Sequence, residues 1–218
     1  MIINPDVKLL QSEDVMENPI VMRPLETDLY KGLVDLAKTM AEINPKVMVE
    51  IGSYNGESLE IFRKYLPDTC KIFCIDPWEE GFDDNDVASS FTSMKTVETI
   101  FDKIFRKQKN VAKLKFYSDE VADIFANGSI DVLYIDGNHQ YKAVKNDILT
   151  YMNKISNDGI IAGHDYDIDE TSYIPVFFQV REENLFIRKE VKQAVNETVG
   201  EPDLTFKDTS WLKYKRNI

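Results

Sequence analysis

The stretch VLYIDGNHQY (132–141) sets a carboxylate and an imidazole three residues apart, Asp136 and His139, just after an apolar run. A carboxylate at that spacing can orient the imidazole or hold a cation, and an imidazole can take a proton near neutral pH. The chain has two histidines, and the second, His164, stands beside Asp165 at the end of another apolar run, GIIAGHDY. Three more runs end in polar groups: Glu50 in VMVEIGSYNG, Asp76 in IFCIDPW, and Ser118-Asp119 in KFYSDE. A hairpin would use Asp-Gly for its geometry alone. Five apolar runs that all deliver polar and mostly acidic residues exceed what a structural sheet requires.

The runs read as strands over 46–52, 71–76, 112–118, 130–136 and 158–166, the last entered by an Asp-Gly turn. Helical spacing lies between them. Leu29, Leu33, Leu36, Ala37 and Met40 form one stripe, capped by Thr27 and ended by Asn44-Pro45, and GESLEIFRKYL, SFTSMKTVETIFDKIFRKQKN, DEVADIFANG and HQYKAVKNDILTYMNKI give the others. Strands that are apolar on both sides and alternate with helices predict a parallel sheet covered on both faces. In such a sheet ligands sit beyond the carboxyl ends of the strands, near the point where strand order reverses. After residue 166 the pattern breaks. TSYIPVFFQVREENLFIRKE (171–190) reads as a hairpin about Glu182-Glu183-Asn184 or as a lid, VKQAVNETVG as a short helix, and PDLTFKDTSWLKYKR as two antiparallel strands.

Length and composition narrow the function. A chain of 218 residues is most simply one domain. Residues 1–24 form a polar arm and 25–218 the domain, with lid regions at 79–110 and 167–190 between strand ends and the next element. A net charge of −12 disfavours nucleic acid and anionic membrane surfaces as partners, and no apolar run reaches a membrane span. No secretory signal is visible, and Cys70 and Cys74 lie about 13 Å apart along a strand, too far for a disulfide. Two reduced, packed thiols are compatible with a cytoplasmic protein.

EIGSYNG places Gly52 and Gly56 four apart between a strand and a helix, where small residues let backbone approach a ligand. The spacing is not G-x-G-x-x-G and no G-K-[ST] follows, so a nicotinamide dinucleotide or a P-loop phosphate is poorly supported. Asp76, 24 residues beyond Gly52, strengthens a nucleoside site, since a carboxylate there accepts both ribose hydroxyls. Trp78 reads equally as a packing aromatic or as a platform beside an adenine. Ser118 and Asp119 can cap a helix and line the same pocket. Tyr141 and Tyr166 fall close enough in sequence to touch a substrate, or simply pack.

Together VMVEIGSYNGESLEIF, IFCIDPW, FYSDEVADIF, VLYIDGNHQYKAVKNDI and GIIAGHDY resemble the class I S-adenosylmethionine-dependent methyltransferases over about residues 25–166. Within that class they are similar to the small-molecule and sugar O-methyltransferases that include the macrolide-sugar enzymes. The resemblance implies a Rossmann-like, doubly wound α/β sheet of seven strands, mostly parallel with an antiparallel last strand and helices on both faces. It implies that Glu50, Gly52, Ser53 and Gly56 line the methionine moiety of S-adenosylmethionine, that Asp76 holds the ribose, and that Ser118 and Asp119 sit near the adenine. It further implies a divalent cation, magnesium or manganese, on Asp136 and an acidic pair at 164–165, with His139 as the base. His164 departs from that pair. An imidazole there weakens magnesium and tolerates manganese, iron or zinc better.

The expected activity is O-methylation of a small hydroxylated substrate such as a sugar or glycan unit. Relatives are often oligomeric, so a homo-oligomer is expected by resemblance alone. Two alternatives stand beside it: a metal-dependent oxygenase built on His164, Asp136 and Asp165, and a non-catalytic nucleotide-binding module. The intact glycine loop and Asp76 favour methyl transfer over the first, and the paired histidines and carboxylates speak against the second.

Overall fold

The computed structural model describes residues 28–82, 93–166 and 182–218. The expected arm at 1–24 and the cap at Thr27 lie outside them. The elements run α1 (Asp28–Ala41), β1 (Val47–Ile51), α2 (Glu57–Tyr65), β2 (Lys71–Ile75), α3 (Met94–Phe105), β3 (Val111–Leu114), α4 (Ser118–Val121), β4 (Ile130–Ile135), α5 (Tyr141–Tyr151), β5 (Ile155–Gly163), α6 (Glu182–Val199), β6 (Leu204–Thr205) and β7 (Trp211–Tyr214). They build one seven-stranded sheet in the order β3-β2-β1-β4-β5-β7-β6, parallel except for β7, which pairs antiparallel with β5 and β6. This is the doubly wound architecture expected from the sequence.

Alternation along each strand decides what each face buries. In β1, Met48 joins a core with Leu36, Met40, Leu59, Phe62, Val97 and Phe101, so α1, α2 and α3 cover that face. Val49 and Ile51 point the other way, into a core with Val144, Ile148, Tyr151, Val191 and Val195 from α5 and α6. Cys70 and Cys74 are buried free thiols on the first face, as their spacing implied, and burial pushes the Cys70 thiol up to about 12.

Three local expectations change. The strand expected at 158–166 is Ile155–Gly163: Asp158-Gly159 does not turn the chain but lies inside the strand, where pairing jumps from Ile130–Ile155 to Val132–Ile160. The bulge needs Gly159, because a Cβ there would sit 2.9 Å from the Asp131 carbonyl oxygen. The hairpin about Glu182-Glu183-Asn184 does not exist, for those residues open α6 and the short helix read at 191–200 is its second half. The strand expected at 112–118 also changes, to Val111–Leu114. Residues 94–105 form a helix that buries Met94, Val97, Ile100, Phe101 and Phe105, and 182–190 belong to α6. Residues 83–92 and 167–181 lie outside the described structure. Among the described residues no helix is long and apolar enough to cross a membrane.

Candidate active site

The strand order reverses between β1 and β4, and the two strands end side by side. The Gly52 N–H donates to the Ile75 carbonyl at 2.9 Å, and the Asp136 N–H donates to the Ile51 carbonyl at 2.8 Å. Gly52 stands at φ +87°, and a Cβ on it would lie 2.0 Å from the Asp136 carbonyl oxygen. Only glycine permits that crossing. It sets the 52–56 loop directly against the segment that carries Asp136 and His139.

Glu50 ends β1 with its side chain fully buried. Its two carboxylate oxygens accept from Ser53 Oγ at 2.7 Å and Ser58 Oγ at 2.6 Å, so the residue ties both ends of the glycine loop to the strand. Burial, helped by the charge of Asp136, pushes its pKa from the ordinary 4.5 up to about 7 despite those bonds. Asp76, also buried, accepts from the N–H groups of Tyr54 at 2.9 Å and Trp78 at 2.7 Å. The loops after β1 and β2 are thereby joined through one carboxylate, and burial raises its pKa. Ser118 begins α4 four residues beyond the end of β3, and Asp119 beside it is exposed.

A second cluster closes the crevice. His139 Nε2 lies 3.2 Å from Asp165 Oδ2 and 3.7 Å from Asp136 Oδ1, and these three side chains can each offer a ligand atom within 4.8 Å of the others. The histidine expected to join the two carboxylates was His164. It lies on the other side of Asp165: its Nδ1 is 3.5 Å from Asp165 Oδ1 and its Nε2 3.9 Å from Asp208 Oδ2. Burial opposes a charged His164, but Asp165, Asp136 and Asp208 together raise its pKa to about 9. Burial likewise opposes ionisation of Asp165, yet the two imidazoles hold its carboxyl well below the usual carboxylate range. Asp165 has φ +57°, in the left-handed region, and its N–H donates to Thr209 Oγ1 at 3.2 Å. The β6–β7 turn therefore fixes the direction of this carboxylate.

Comparison with known proteins places this geometry. A family described as a methyltransferase domain matches residues 49–166, 118 of the 218 residues. The chain belongs to the methyltransferase domain family. An uncharacterized protein of Acanthamoeba polyphaga mimivirus is 33% identical over 143 residues, 62% of this chain and 57% of that protein. A second relative, from Sinorhizobium fredii, is 23% identical over 60% of this chain and 14% of its own length. The chain thus spans only part of the curated relatives it matches. Among solved structures, a Staphylococcus aureus protein provisionally assigned as a caffeoyl-CoA O-methyltransferase superposes with TM-score 0.57 at 18% identity, covering 91% of this chain and 86% of that one. A Podospora anserina methyltransferase bound to S-adenosylhomocysteine gives 0.53 at 12% identity, covering 84% and 76%. These likenesses are of fold.

For several residues of this methyltransferase domain the structure shows the contacts that the sequence left open. Trp78, read as a packing residue or an adenine platform, packs: it is 3% exposed, its ring lies against Phe101, and its Nε1–H donates to the Tyr54 carbonyl at 2.9 Å. Tyr166 is buried and donates to Asn196 Oδ1 at 2.7 Å. Asn138, to which the sequence assigned nothing, donates to the Phe82 carbonyl at 2.7 Å and accepts from the Gln140 N–H at 2.9 Å, anchoring the 137–140 loop. The facial set of non-haem iron oxygenases has two histidines and one carboxylate. The group found here, among the described residues, has one histidine and two carboxylates, the same composition as the set of His164, Asp136 and Asp165 on which the oxygenase alternative was built, with His139 in place of His164.

Three contributors went unread. Asp208 reaches His164 from the β6–β7 turn, packed so closely that a Cβ on Gly32 of α1 would meet its Oδ1 at 2.0 Å. Tyr134 Oη donates to Asp136 Oδ2 at 3.3 Å. Trp211 lines the cleft with Ile135, Asp136, His139, Val144 and His164, and its buried indole N–H has no partner among the described residues. Asp-Thr-Ser between two short strands could have signalled Asp208, but it reads as ordinary turn chemistry.

The buried Glu50 gives a stability prediction. The folded chain holds this proton up to about pH 7, whereas the unfolded chain releases it near 4.5, so stability falls as pH rises between those values. The full loss above the window is on the order of 3 kcal/mol. Glu50→Gln should match the parent near pH 4 and exceed it by about 1–3 kcal/mol at pH 8, read from urea midpoints. A parent and variant that track each other from pH 4 to 8 would show that folding does not shift the Glu50 pKa.

Proposed function

We propose that the domain transfers the methyl group of S-adenosylmethionine to an oxygen of a small hydroxylated acceptor, such as a sugar or glycan unit. One observation carries the reading. The Gly52–Asp136 crossing puts the loop suited to the donor's methionine end beside an imidazole and two carboxylates suited to the acceptor.

Glu50, Ser53, Gly52 and Gly56 shape the seat of the methionine moiety. Asp76 serves the ribose. A carboxylate offers about four lone-pair positions, and the backbone N–H groups of Tyr54, Trp78 and Ser53 that bond Asp76 leave one for a ribose hydroxyl. Ser118 and Asp119 border the adenine, and Trp78 holds the Tyr54 carbonyl in place without stacking on the base. The transfer is an in-line displacement. The acceptor oxygen bonds to the methyl carbon, the carbon–sulfur pair returns to sulfur, and S-adenosylhomocysteine leaves. His139 takes the hydroxyl proton, while Asp165 and Asp136 flank the ring and face the imidazolium that forms. The Asp136, His139 and Asp165 donors also suit a divalent cation, manganese better than magnesium because one donor is an imidazole; with an ion bound, His139 would be a ligand instead of the base and the ion would acidify the acceptor hydroxyl.

Calorimetric titration with S-adenosylhomocysteine tests the reading. Micromolar binding is expected. Asp76→Ala should weaken it by about 30- to 100-fold, since it removes a charged acceptor and leaves the Tyr54 and Trp78 N–H groups without a partner. A folded parent protein that does not bind S-adenosylhomocysteine would sink the methyltransferase reading for this chain.

A further inference from the structure

Asp147 sits in the middle of α5, away from the His139 cluster, and is 5% exposed. Sealing a carboxylate beneath a helix costs several kcal/mol unless it is bound, and an apolar side chain would serve packing as well or better. The carboxylate is bound, and to one place. Asp147 Oδ1 accepts from Ser118 Oγ at 2.5 Å. One turn further along the same helix face, the Tyr151 hydroxyl donates to the Ser118 carbonyl at 2.7 Å. Two side chains four residues apart on α5 thus grip one residue through both its side chain and its backbone.

The same helix begins two residues after His139, and the Tyr141 N–H in its first turn is held by Glu190 Oε2 at 2.8 Å. One rigid element therefore runs from the acceptor cluster to the start of α4. We propose that Asp147 is a positioning residue for the adenosine end of the methyl donor: by holding Ser118 it sets the backbone of 118–119 against which the adenine rests. The inference builds on the functional reading above, which places Ser118 and Asp119 beside that ring. Burial pushes the Asp147 pKa up to about 7, with the charge of Asp119 adding to it against the Ser118 bond. The site thus keeps a carboxyl group where the fold alone disfavours one.

Calorimetry decides, with S-adenosylhomocysteine and with methylthioadenosine, which shares the adenosine but lacks the amino-acid end. Asp147→Ala should weaken both ligands by about 10-fold, the loss of one hydrogen bond to a charged group. Asp147→Asn, which can still accept from Ser118, should restore affinity to within about three-fold of the parent. Ser118→Ala combined with Asp147→Ala should bind no worse than either alone, since one acts through the other. Parent-like affinity in Asp147→Ala, with only its melting temperature lowered, would reduce the residue to a structural part and overturn the proposal, as would losses that multiply in the double variant. If Asp147→Ala does not fold, Ser118→Ala decides, and parent-like affinity there overturns the proposal equally. A parent that binds no S-adenosylhomocysteine removes the functional reading itself, whereas a parent that binds and an Asp147→Ala that matches it remove this inference alone.

Discussion

Replacing His139 by alanine is expected to lower kcat by about a hundred- to ten-thousand-fold, the usual contribution of a positioned general base. The measurement is transfer of a labelled methyl group to acceptors found by screening small hydroxylated molecules. The imidazole is 14% exposed and faces Asp165 at 3.2 Å and Asp136 at 3.7 Å, so it is held in the crevice while still open to a ligand. It does not touch Glu50, the glycine loop or Asp76 in any contact described above. S-Adenosylhomocysteine affinity should therefore change by no more than about two-fold, which separates a chemical loss from a binding loss. An effect confined to KM would make His139 a substrate contact. Turnover abolished in the parent by a chelator and restored by manganese would move the residue from base to metal ligand.

Gly52→Ala should destabilise the chain by about 2–5 kcal/mol and abolish donor binding. A left-handed alanine costs about 1–2 kcal/mol, and forcing a methyl group into packed surroundings costs about 1–3 more. The new Cβ would meet three backbone atoms, the Asp136 oxygen at 2.0 Å, its carbonyl carbon at 2.4 Å and Gly137 Cα at 2.5 Å, none of which can rotate away. Gly128 gives the control. It also has positive φ, +69°, but a Cβ there meets nothing within 4 Å, so Gly128→Ala carries the conformational cost alone. Urea unfolding of both variants isolates the crowding at the β1–β4 crossing. Equal midpoints would mean that the two strand ends move apart easily, and the site would then lack the rigidity on which its chemistry depends.

The residues that form the crevice were legible in the chain because strand ends have a local signature. Each strand carries or is followed by its polar residues within about one turn of chain, and β1, β2 and β4 all stop within a residue or two of the expected place. Errors gathered where the signal was weak or contradictory. Asp158-Gly159 is a turn pair by composition, but β5 absorbs it as a bulge because β4 on one side and β7 on the other supply pairing that an isolated hairpin would not have. The start of α6 carries aromatic and β-branched residues with no clear period, and it becomes helix in a chain whose next turns bury Val191, Ala194 and Val195 against α5.

The sequence by itself determined the alternation of strands and helices, the covering of both sheet faces, and the delivery of Glu50, Asp76, Asp136, His139 and Asp165 to the strand ends. Periodicity is a property of neighbours in the chain, so it survives without a fold. Tertiary structure alone decided which of the two histidines groups with both Asp136 and Asp165. His139 and His164 are alike in local context, but Thr209 holds the Asp165 backbone at positive φ and Asp208 faces the far nitrogen of His164, both from a turn more than 40 residues further on. It also decided that Glu50 is buried and strongly shifted, that Trp78 packs, and that Asp147 reaches Ser118. Directions of side chains and the solvation of charges depend on atoms brought together by strand order, and no spacing along the chain encodes them.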